Sequence, residues 1–394
     1  MTPRYDVAIV GAGPVGMALS LMLSRLAPNP ARIALFGQSA NQVASGEQDP
    51  RTLALNEGSR ESLRALAAWP DGTAVIRNIH VSQHGRLGRT CIRNTDFNVD
   101  ALGHVAAYAS LLDALQTRVN VSGIKRLPAV GAQSLRQSVG GSDGDDYPVT
   151  LGAQDDAPTS RLVILADGAT GADLTRDYEQ HAVLATARAS QPLPEWAWER
   201  FRNEGPLAVL PHPAGEGLYS IVWCCKPTTA AQLQGESNEV FSKALTAAFG
   251  DRLGRLSSDS VRHVFPLALR ARRQVVDGRI VAIGNAAQSL HPVAGQGLNL
   301  GLRDAEQLSH ALSPWLAGLA AGASDTLDSR LTHYARSRRI DRLAIGTLTD
   351  LMPRIFATGL APVEHACGAA LLALDLSKTL RAPLARKLLY GVRS

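Results

Sequence analysis

Several sequence features are missing from this chain of 394 residues, and each absence argues against a class of protein. No apolar run approaches the roughly 18 residues that a membrane-spanning helix needs. The four cysteines form no C-x-x-C pair and no zinc-site spacing, which favours a reducing compartment. Basic residues exceed acidic residues by only 40 to 35 and are not interleaved with aromatic residues, so the composition gives no indication of nucleic-acid binding.

Targeting signals and repeats are also absent from the sequence. The first residues lead directly into an apolar strand pattern and leave no room for a signal peptide, so we expect a cytoplasmic protein. No internal repeat, metal-ligand cluster or nucleophile–base pattern is visible. What remains is an ordinary globular composition, with 45% hydrophobic and 19% charged residues. This length predicts two or three domains or lobes.

The most informative stretch that is present covers residues 284–304. An apolar strand pattern, Arg279–Ile283, precedes it, and an amphipathic helix is predicted from Leu298 to Leu312. Glycines and a proline crowd around the predicted helix start, where backbone N–H groups are unpaired and the helix dipole is positive. We therefore expect a group there that is negative or becomes negative.

A second glycine-rich stretch lies near the start of the chain. The apolar run Tyr5–Val10 leads into Gly11, Gly13 and Gly16, spaced as G-x-G-x-x-G, and a helical pattern follows over Val15–Leu26. In dinucleotide-binding units these glycines permit a tight turn, close approach to a pyrophosphate, and close helix–strand packing. The spacing alone is weak evidence. The preceding strand and following helix favour a nucleotide site over a turn without a ligand.

The remaining patterns predict an α/β protein with a discontinuous layout. Helices are predicted over 57–67, 107–119 and 238–249, a buried strand over 161–167, mainly antiparallel strands with one helix over 178–269, and helices in the last 60 residues. We assign a Rossmann-like lobe to 1–70, 100–170 and 279–312, an inserted β-rich lobe to 71–99 and 175–270, and a helical C-terminal region to 313–394. Asp167-Gly168 and Gly284-Asn285 each follow a predicted strand, as Gly11 does, so all three segments are expected at one sheet edge around one extended cofactor.

Together these motifs resemble the flavoprotein aromatic hydroxylases, the class A flavin monooxygenases, along nearly the whole chain. That family combines G-x-G-x-x-G, an Asp-Gly pair, and Gly-Asp or Gly-Asn followed by P-x-x-G-Q-G-x-N. Within it, the chain looks most similar to the UbiH-type hydroxylases of ubiquinone biosynthesis. The runs that carry this closer resemblance are Asp49–Leu55, His80–Ser82, Gly205–Pro211, Tyr219–Cys224, Phe265–Ala268 and His291-Pro292.

The resemblance implies FAD as cofactor, NADH or NADPH as co-substrate, and a set of site residues. The residues implied to bind the cofactor are Gly11, Gly13, Pro14, Val15 and Gly16 at the pyrophosphate, Gln38 at the adenosine ribose, Arg51 beside the flavin or its phosphates, Asp167 near the pyrophosphate, Gly284 and Asn285 at the ribitol or pyrophosphate, and Pro292, Gly295, Gln296, Gly297, Leu298 and Asn299 along the isoalloxazine. Arg51, His291 and Pro292 are the candidate catalytic residues.

Several of these residues also have a purely structural interpretation. Arg51 is interpreted either as a flavin-site residue or as a surface arginine, and His291 either as an acid or base or as a packed histidine. Tyr219 and Trp223 alternate on one predicted strand and line either a ring pocket or the core. Asp304 is expected to cap or pair locally within its helix.

The implied reaction is hydroxylation of a polyprenylated methoxyphenol. In the family, NAD(P)H reduces FAD, O₂ adds to give a C4a-hydroperoxyflavin, and this species hydroxylates the ring. Backbone N–H groups near Gly297 and Leu298 would stabilise the negative charge on the reduced flavin. The alternatives are the same chemistry at another ring position or on another phenol, and a weakly catalytic scaffold subunit of a quinone-biosynthesis complex.

Three departures from the family pattern concern FAD binding. The family's ribose-binding Glu after the second strand is replaced by Gly37, followed by Gln38. No Arg or Gln counterpart opens the helix near residue 107, and the segment after Gly168 is shortened. These differences motivate the scaffold alternative.

The C-terminal segment 366–393 mixes apolar stripes with an excess of basic residues. Its charged side chains are Lys378, Arg381, Arg386, Lys387 and Arg393 against Asp375. Such a segment either docks on an anionic membrane surface, where a polyprenyl substrate resides, or packs on the FAD lobe with a solvated basic face. The first interpretation predicts peripheral association with the inner face of the cytoplasmic membrane and contact with other ubiquinone-biosynthesis proteins.

Overall fold

The computed structural model describes residues 4–37, 49–85, 88–138, 149–168, 171–291, 295–321, 327–356 and 361–377. The strands are β1 (Arg4–Val10), β2 (Ile33–Phe36), β3 (Thr52–Leu55), β4 (Ala74–Ile76), β5 (Asn78–Gln83), β6 (Arg89–Arg93), β7 (Gly103–Ala107), β8 (Lys125–Leu127), β9 (Leu135–Gln137), β10 (Val149–Leu151), β11 (Thr159–Leu165), β12 (Leu174–Ala189), β13 (Trp196–Arg202), β14 (Gly205–Pro211), β15 (Leu218–Cys225), β16 (Leu256–Ser257), β17 (His263–Ala271), β18 (Val276–Asp277), β19 (Ile280–Ala282) and β20 (Gln288–Ser289). The helices are α1 (Pro14–Leu26), α2 (Glu57–Ala65), α3 (Tyr108–Val121), α4 (Pro227–Gly235), α5 (Asn238–Phe249), α6 (Gln296–Ala321), α7 (Leu327–Phe356) and α8 (Ala361–Leu376).

The first large sheet has a parallel centre. Its strand order is β18-β19-β11-β1-β2-β8; β10 pairs antiparallel with β11, and β9 pairs antiparallel with β10. The strands from β19 to β8 run parallel, and helices α1 and α6 pack against each other beside them. Strands of this kind are buried on both faces, which explains the continuous apolar runs of β1 and β11.

The second large sheet is mainly antiparallel and takes its strands from other parts of the chain. Its order is β20-β17-β12-β15-β14-β13-β5-β6, and β16 pairs with β12. Only the β13–β5 pair is parallel among these described strands. One face of the sheet packs on α5, where Phe241 and Phe249 lie in the same hydrophobic cluster as Val183 and Leu207.

A third, small antiparallel sheet is formed by three strands in the order β3-β7-β4. The helix predicted over 107–119 begins at Tyr108, directly after β7. Helix α4 was not predicted, because it has only nine residues and a weak amphipathic pattern. Helix α6 extends the predicted 298–312 helix at both ends.

The α/β fold class is confirmed by these sheets and by the structural comparisons given below. Within the described ranges, no helix combines the length and apolar character that crossing a bilayer requires.

Candidate flavin-binding site

The first glycine-rich turn lies against the end of β11. Gly11 has φ +115°, and a Cβ there would come within 2.5 Å of the carbonyl carbon of Ala166 and the nitrogen of Asp167. Only glycine fits both this backbone conformation and this close approach. The carboxyl ends of β1 and β11 therefore meet at Gly11 and Asp167, as predicted for parallel neighbours.

Helix α1 begins with an open, uncapped end at this edge. Its N-cap is Gly13, no side chain caps it, Pro14 follows, and the first turn carries no acidic residue. A Cβ on Gly13 would meet nothing within 4 Å, whereas a Cβ on Gly16 would lie 1.9 Å from the carbonyl oxygen of Gly11. The unpaired N–H groups and positive dipole of α1 thus face a space that suits an anionic group such as a pyrophosphate.

The segment after β19 lies next to this turn. A Cβ on Gly284, which has φ +57°, would lie 3.3 Å from both methyl carbons of Val15, and a Cβ on Gly168 would lie 3.6 Å from the Cβ of Asn285. The three segments, of which the first and the last are more than 250 residues apart in sequence, therefore meet at the edge of the sheet where the parallel strands end. This arrangement fits an extended dinucleotide such as FAD.

Asn299 holds the segment at the start of α6. Its Oδ1 accepts hydrogen bonds from the Asn56 nitrogen (3.0 Å) and the Ser59 hydroxyl (2.7 Å). Its Nδ2 donates to the carbonyl oxygens of Ala54 and Gly295, both at 2.8 Å. These four bonds use the full capacity of an Asn side chain. Asn299 is thus positioned to fix the loop rather than to bond a cofactor with its side chain.

The other residues predicted along the isoalloxazine start α6. The helix begins at Gln296, which is buried, and a Cβ on Gly297 would meet nothing within 4 Å. Gly295, with φ +59°, lies against Ala54 of β3. Backbone groups at Gly297 and Leu298 therefore start a helix beside open space, which matches the expected site for a developing negative charge.

Arg51 is ordered by two neighbours. Its guanidinium donates to both carboxylate oxygens of Asp49 and stacks over the Tyr108 ring, 4.3 Å from the ring centroid. The hydrogen bonds that Arg51 donates to Asp49 raise the pKa of Arg51, although burial opposes this shift. Burial likewise opposes ionisation of Asp49, but the pKa of its carboxyl is lowered by Arg51 and, more weakly, by His263 of β17. Arg51 is thus a permanent cation directly before β3, held by Asp49 and Tyr108.

His291 is almost fully buried and contacts the second sheet. Its Nε2 lies 3.0 Å from Oε1 of Gln180, and its ring makes an edge contact with Tyr178 at 5.0 Å between centroids. Burial lowers the pKa of His291 to about 4, with Asp350 opposing the shift. The imidazole is therefore neutral near pH 7, and its geometry favours the packed interpretation over an acid role.

Tyr219 and Trp223 point away from this region. Both belong to the hydrophobic cluster on the α5 side of the second sheet, where Trp223 lies near Phe241 and Tyr219 contacts Trp198. The Tyr219 hydroxyl donates to the Leu193 carbonyl and accepts from the Leu193 nitrogen, both at 2.9 Å. Their placement favours the core interpretation, and the ring-pocket role stays a prediction without support from these contacts.

Asp304 pairs across helices, so the expectation of a local cap is wrong. Its Oδ2 accepts from the Gly284 nitrogen at 3.0 Å, and its Oδ1 accepts from Arg338 of α7 at 2.7 Å. No sequence pattern links positions 34 residues apart on two helices. Asn56 and Ser59 were also missed, although Asn56 is an N-cap whose side chain accepts from the Ser59 nitrogen, which is a readable helix-start signal.

Gly37 lies where the adenosine of the expected FAD would be bound. Gly37, directly after β2, lies against the first glycine-rich turn, where a Cβ would come within 2.5 Å of the Ala12 Cβ and 2.7 Å of the Ala12 nitrogen. The predicted contacts Gln38 and Pro292 lie outside the described residues.

Comparisons with known proteins agree with this geometry. An FAD binding domain model matches residues 155–340. The chain is 29% identical to "Ubiquinone hydroxylase UbiL" of Rhodospirillum rubrum, covering 92% of this chain and 84% of the relative. It is 25% identical to the Escherichia coli "3-demethoxyubiquinol 3-hydroxylase", covering 95% and 96% of the two chains, and 28% identical to the mouse "Ubiquinone biosynthesis monooxygenase COQ6, mitochondrial", covering 91% and 85%.

The solved structures show the same fold. The p-nitrophenol 4-monooxygenase PnpA from Pseudomonas putida superimposes with a TM-score of 0.74 at 16% identity, covering 100% of both chains. PqsL from Pseudomonas aeruginosa, a probable FAD-dependent monooxygenase, gives a TM-score of 0.65 at 18% identity, covering 94% of this chain and 100% of its own. The fold is that of the class A flavin monooxygenases, and the cofactor is FAD.

Proposed function

We propose, from the premise that this chain is a flavin-dependent aromatic monooxygenase, that it hydroxylates the ring of a polyprenylated methoxyphenol in ubiquinone biosynthesis, with NADH or NADPH and O₂ as co-substrates. The relatives named for ubiquinone biosynthesis match over nine-tenths of the chain, which supports this substrate class. The observation that carries the proposal is the meeting of Gly11–Gly16, Asp167-Gly168 and Gly284-Asn285 around the uncapped start of α1.

The described residues suit FAD in an extended pose. The N–H groups of Gly13 and Val15 would bind its pyrophosphate, and the open helix start at Gly297 and Leu298 would face the pyrimidine edge of its ring. FAD supplies hydride acceptance from the nicotinamide nucleotide and oxygen transfer to the phenol ring. Arg51, held by Asp49 and Tyr108, would add a fixed positive charge beside the flavin or its phosphates.

The substrate ring is proposed to lie on the face of the second sheet that does not pack on α5. Side chains alternate along strands, and Leu184 and Val222 face away from the core residues Val183 and Trp223 that pair beside them. Phe265 pairs with Ala182 on this same face and is 40% exposed although it is large and apolar.

Two groups border this apolar strip. At one end, His263, which helps to lower the pKa of Asp49, pairs with Leu184. At the other end, Gln180, which is hydrogen-bonded to His291, pairs with Leu267. An aromatic ring with a prenyl chain needs such an apolar strip beside a few polar groups. Neutral His291 would orient the substrate side of the pocket through Gln180 rather than exchange protons near pH 7.

The decisive test uses purified protein. Bound FAD would be measured by its visible absorbance, and NADH and NADPH oxidation would be followed with and without a short-chain prenyl methoxyphenol. We expect substrate-stimulated oxidation and a product that has gained one oxygen atom. Protein that stays colourless after addition of FAD, without stimulated oxidation, would contradict the enzyme proposal and favour the scaffold alternative motivated by Gly37.

Oxidation that releases only peroxide would show that another phenol is the substrate. Hydroxylation at a different carbon would be visible in the product by NMR. Each outcome therefore separates the ring-position and substrate alternatives from the leading proposal.

We further propose that the protein is cytoplasmic and docks peripherally on an anionic membrane, where a polyprenyl substrate resides. Ile340 and Leu343 of α7 and Leu372 and Leu376 of α8 are large apolar side chains that are exposed to solvent. The sequence after residue 377 carries five basic residues that can be attracted to anionic lipid.

Flotation with vesicles containing phosphatidylglycerol tests this docking. We expect binding that falls with added salt and is reduced by Leu343→Glu and Leu376→Glu, because each places a charge in the apolar contact. Val121→Glu, at an exposed apolar position on α3, is the matched control and should leave binding unchanged. Equal binding by all three variants would contradict the assignment of these helices.

A further inference from the structure

Helix α7 reaches the Gly284 segment through buried charged groups. Arg338 is fully buried and donates to Asp304, whose other carboxylate oxygen accepts from the Gly284 nitrogen. Asp341 bonds both Arg338 and Arg303, with its Oδ2 at 2.9 Å from Arg303. A buried pair of this kind is stable only when each charge keeps its partner.

The charges of Arg338 and Asp341 are stabilised by their neighbours in this network. Burial would lower the pKa of Arg338, but Asp304 and Asp341 raise it above its ordinary value. Burial would raise the pKa of Asp341, but Arg303 and Arg338 lower it. The buried Arg338–Asp341 pair therefore stays ionised.

A second arginine of α7 holds the residues that follow. Arg342 donates to the carbonyl oxygens of Arg272 (2.9 Å) and Ala287 (3.2 Å) and to Oε1 of Gln288 (3.2 Å). The Nε of Arg272 in turn donates to the Ala286 carbonyl at 3.0 Å. Every residue from Gly284 to Gln288 other than Asn285 is thus bonded directly to this network.

We infer that Arg338 and Arg342 are positioning residues for the flavin, and that helix α7 therefore belongs to the cofactor site although it lies outside the motifs. This inference rests on the proposed placement of FAD beside Gly284 and Asn285. Gly284 has no side chain with which to anchor itself; it has φ +57°, lies beside Val15, and donates its N–H to Asp304. Because Gly37 offers no carboxylate to the adenosine, loss of this support should weaken FAD binding strongly.

The test replaces Arg342 and compares it with a neighbour on the outer face of the same helix. Arg342→Gln removes the charged donor, Arg342→Lys retains the charge without the guanidinium fork, and Arg339→Gln is the matched control at an exposed position. FAD would be titrated into each apoprotein by fluorescence quenching, and apoprotein Tm, the visible spectrum and the reduction potential at saturating FAD would be recorded.

We expect Arg342→Gln to raise the Kd for FAD at least about tenfold, because loss of a hydrogen bond from a charged donor typically changes a binding constant by that order. The spectrum and potential of the saturated variant should also shift, Arg342→Lys should recover part of the affinity, and Arg339→Gln should match the wild type. A residue that only stabilised the fold would lower the Tm without moving the spectrum or potential.

A Kd within twofold of the wild type for Arg342→Gln would overturn the inference, as would the same increase in Arg339→Gln. A lowered Tm with an unchanged spectrum and potential would also overturn it. A wild-type protein that binds no FAD would instead refute the proposed function, so the two failures are distinguishable.

Discussion

Replacing Asn299 by Ala removes four hydrogen bonds that join β3, α2 and the start of α6. The partners left behind are the Asn56 N–H, the Ser59 hydroxyl, and the carbonyl oxygens of Ala54 and Gly295. Each hydrogen bond contributes about 1 kcal/mol net, and more when its buried partner stays unsatisfied. We therefore expect the free energy of unfolding to fall by about 4 kcal/mol.

This loss can be read as a shift in Tm. With an unfolding entropy of about 2.1 cal/mol/K per residue, the 394 residues give roughly 0.8 kcal/mol/K. A loss of about 4 kcal/mol then lowers the Tm by about 5 °C. The assay is differential scanning calorimetry of the apoprotein, with an FAD titration at 20 °C to measure the accompanying loss of affinity.

The matched control is Asn120→Ala, at an exposed position near the end of α3. Asn120 accepts hydrogen bonds from Gln116 and Arg126 at the surface, so its removal should change stability by less than about 0.5 kcal/mol. A Tm for Asn299→Ala within 1 °C of the wild type would show that the four bonds do not hold the loop, and would refute the reasoning.

Three further predictions concern the first glycine-rich turn, the pH dependence of stability, and the proposed apolar strip for the substrate. Gly13→Ala should leave the apoprotein Tm unchanged, because its Cβ meets no protein atom, but it should raise the FAD Kd at least tenfold, because the Cβ enters the space proposed for the pyrophosphate. Gly16→Ala should lower the apoprotein Tm, because its Cβ would overlap the Gly11 carbonyl oxygen. Equal changes in Tm by calorimetry and in Kd by fluorescence titration for the two variants would contradict this prediction. Burial, and more weakly Arg60, Arg64 and Arg77, lower the pKa of His104 from 6.5 to about 4. The folded protein therefore favours neutral His104, and the stability that this residue contributes is present above pH 6.5 and is lost as the pH falls to 4. His104→Phe should therefore reduce the loss of stability over that range by about 2 kcal/mol in urea titrations, and an unchanged pH profile would count against it. Phe265→Ala should raise the KM for a prenylated phenol more than for its unprenylated analogue in steady-state assays, and equal changes would place the prenyl chain elsewhere.

The sequence carries enough information to predict the parallel core and the meeting of its motifs. Strands buried on both faces are continuous apolar runs, so β1 and β11 are visible from composition alone. Gly11 and Gly16 can be recognised in the sequence by their spacing, and only glycine fits the close backbone contacts at both positions. These signals are local, and the register of parallel neighbours brings them together at one edge.

Other features depend on which partner a side chain meets in three dimensions. Alternation on β15 places Tyr219 and Trp223 on one face, but it does not tell whether that face meets α5 or the flavin. Asp304 was expected to act within its own helix, yet its partner Arg338 lies on another helix. Pairing between helices leaves no periodic signal in either one, so such contacts become visible only in the folded chain.

The close contact between Gly37 and Ala12 limits how the end of β2 can be engineered. An acidic residue introduced at Gly37 would place its Cβ 2.5 Å from the Ala12 Cβ. Shrinking Ala12 to glycine would relieve only part of the overlap, since the Ala12 nitrogen lies 2.7 Å from the same point. A side chain at Gly37 therefore requires the backbone of the first glycine-rich turn to move, and a single substitution at Ala12 does not make room for it.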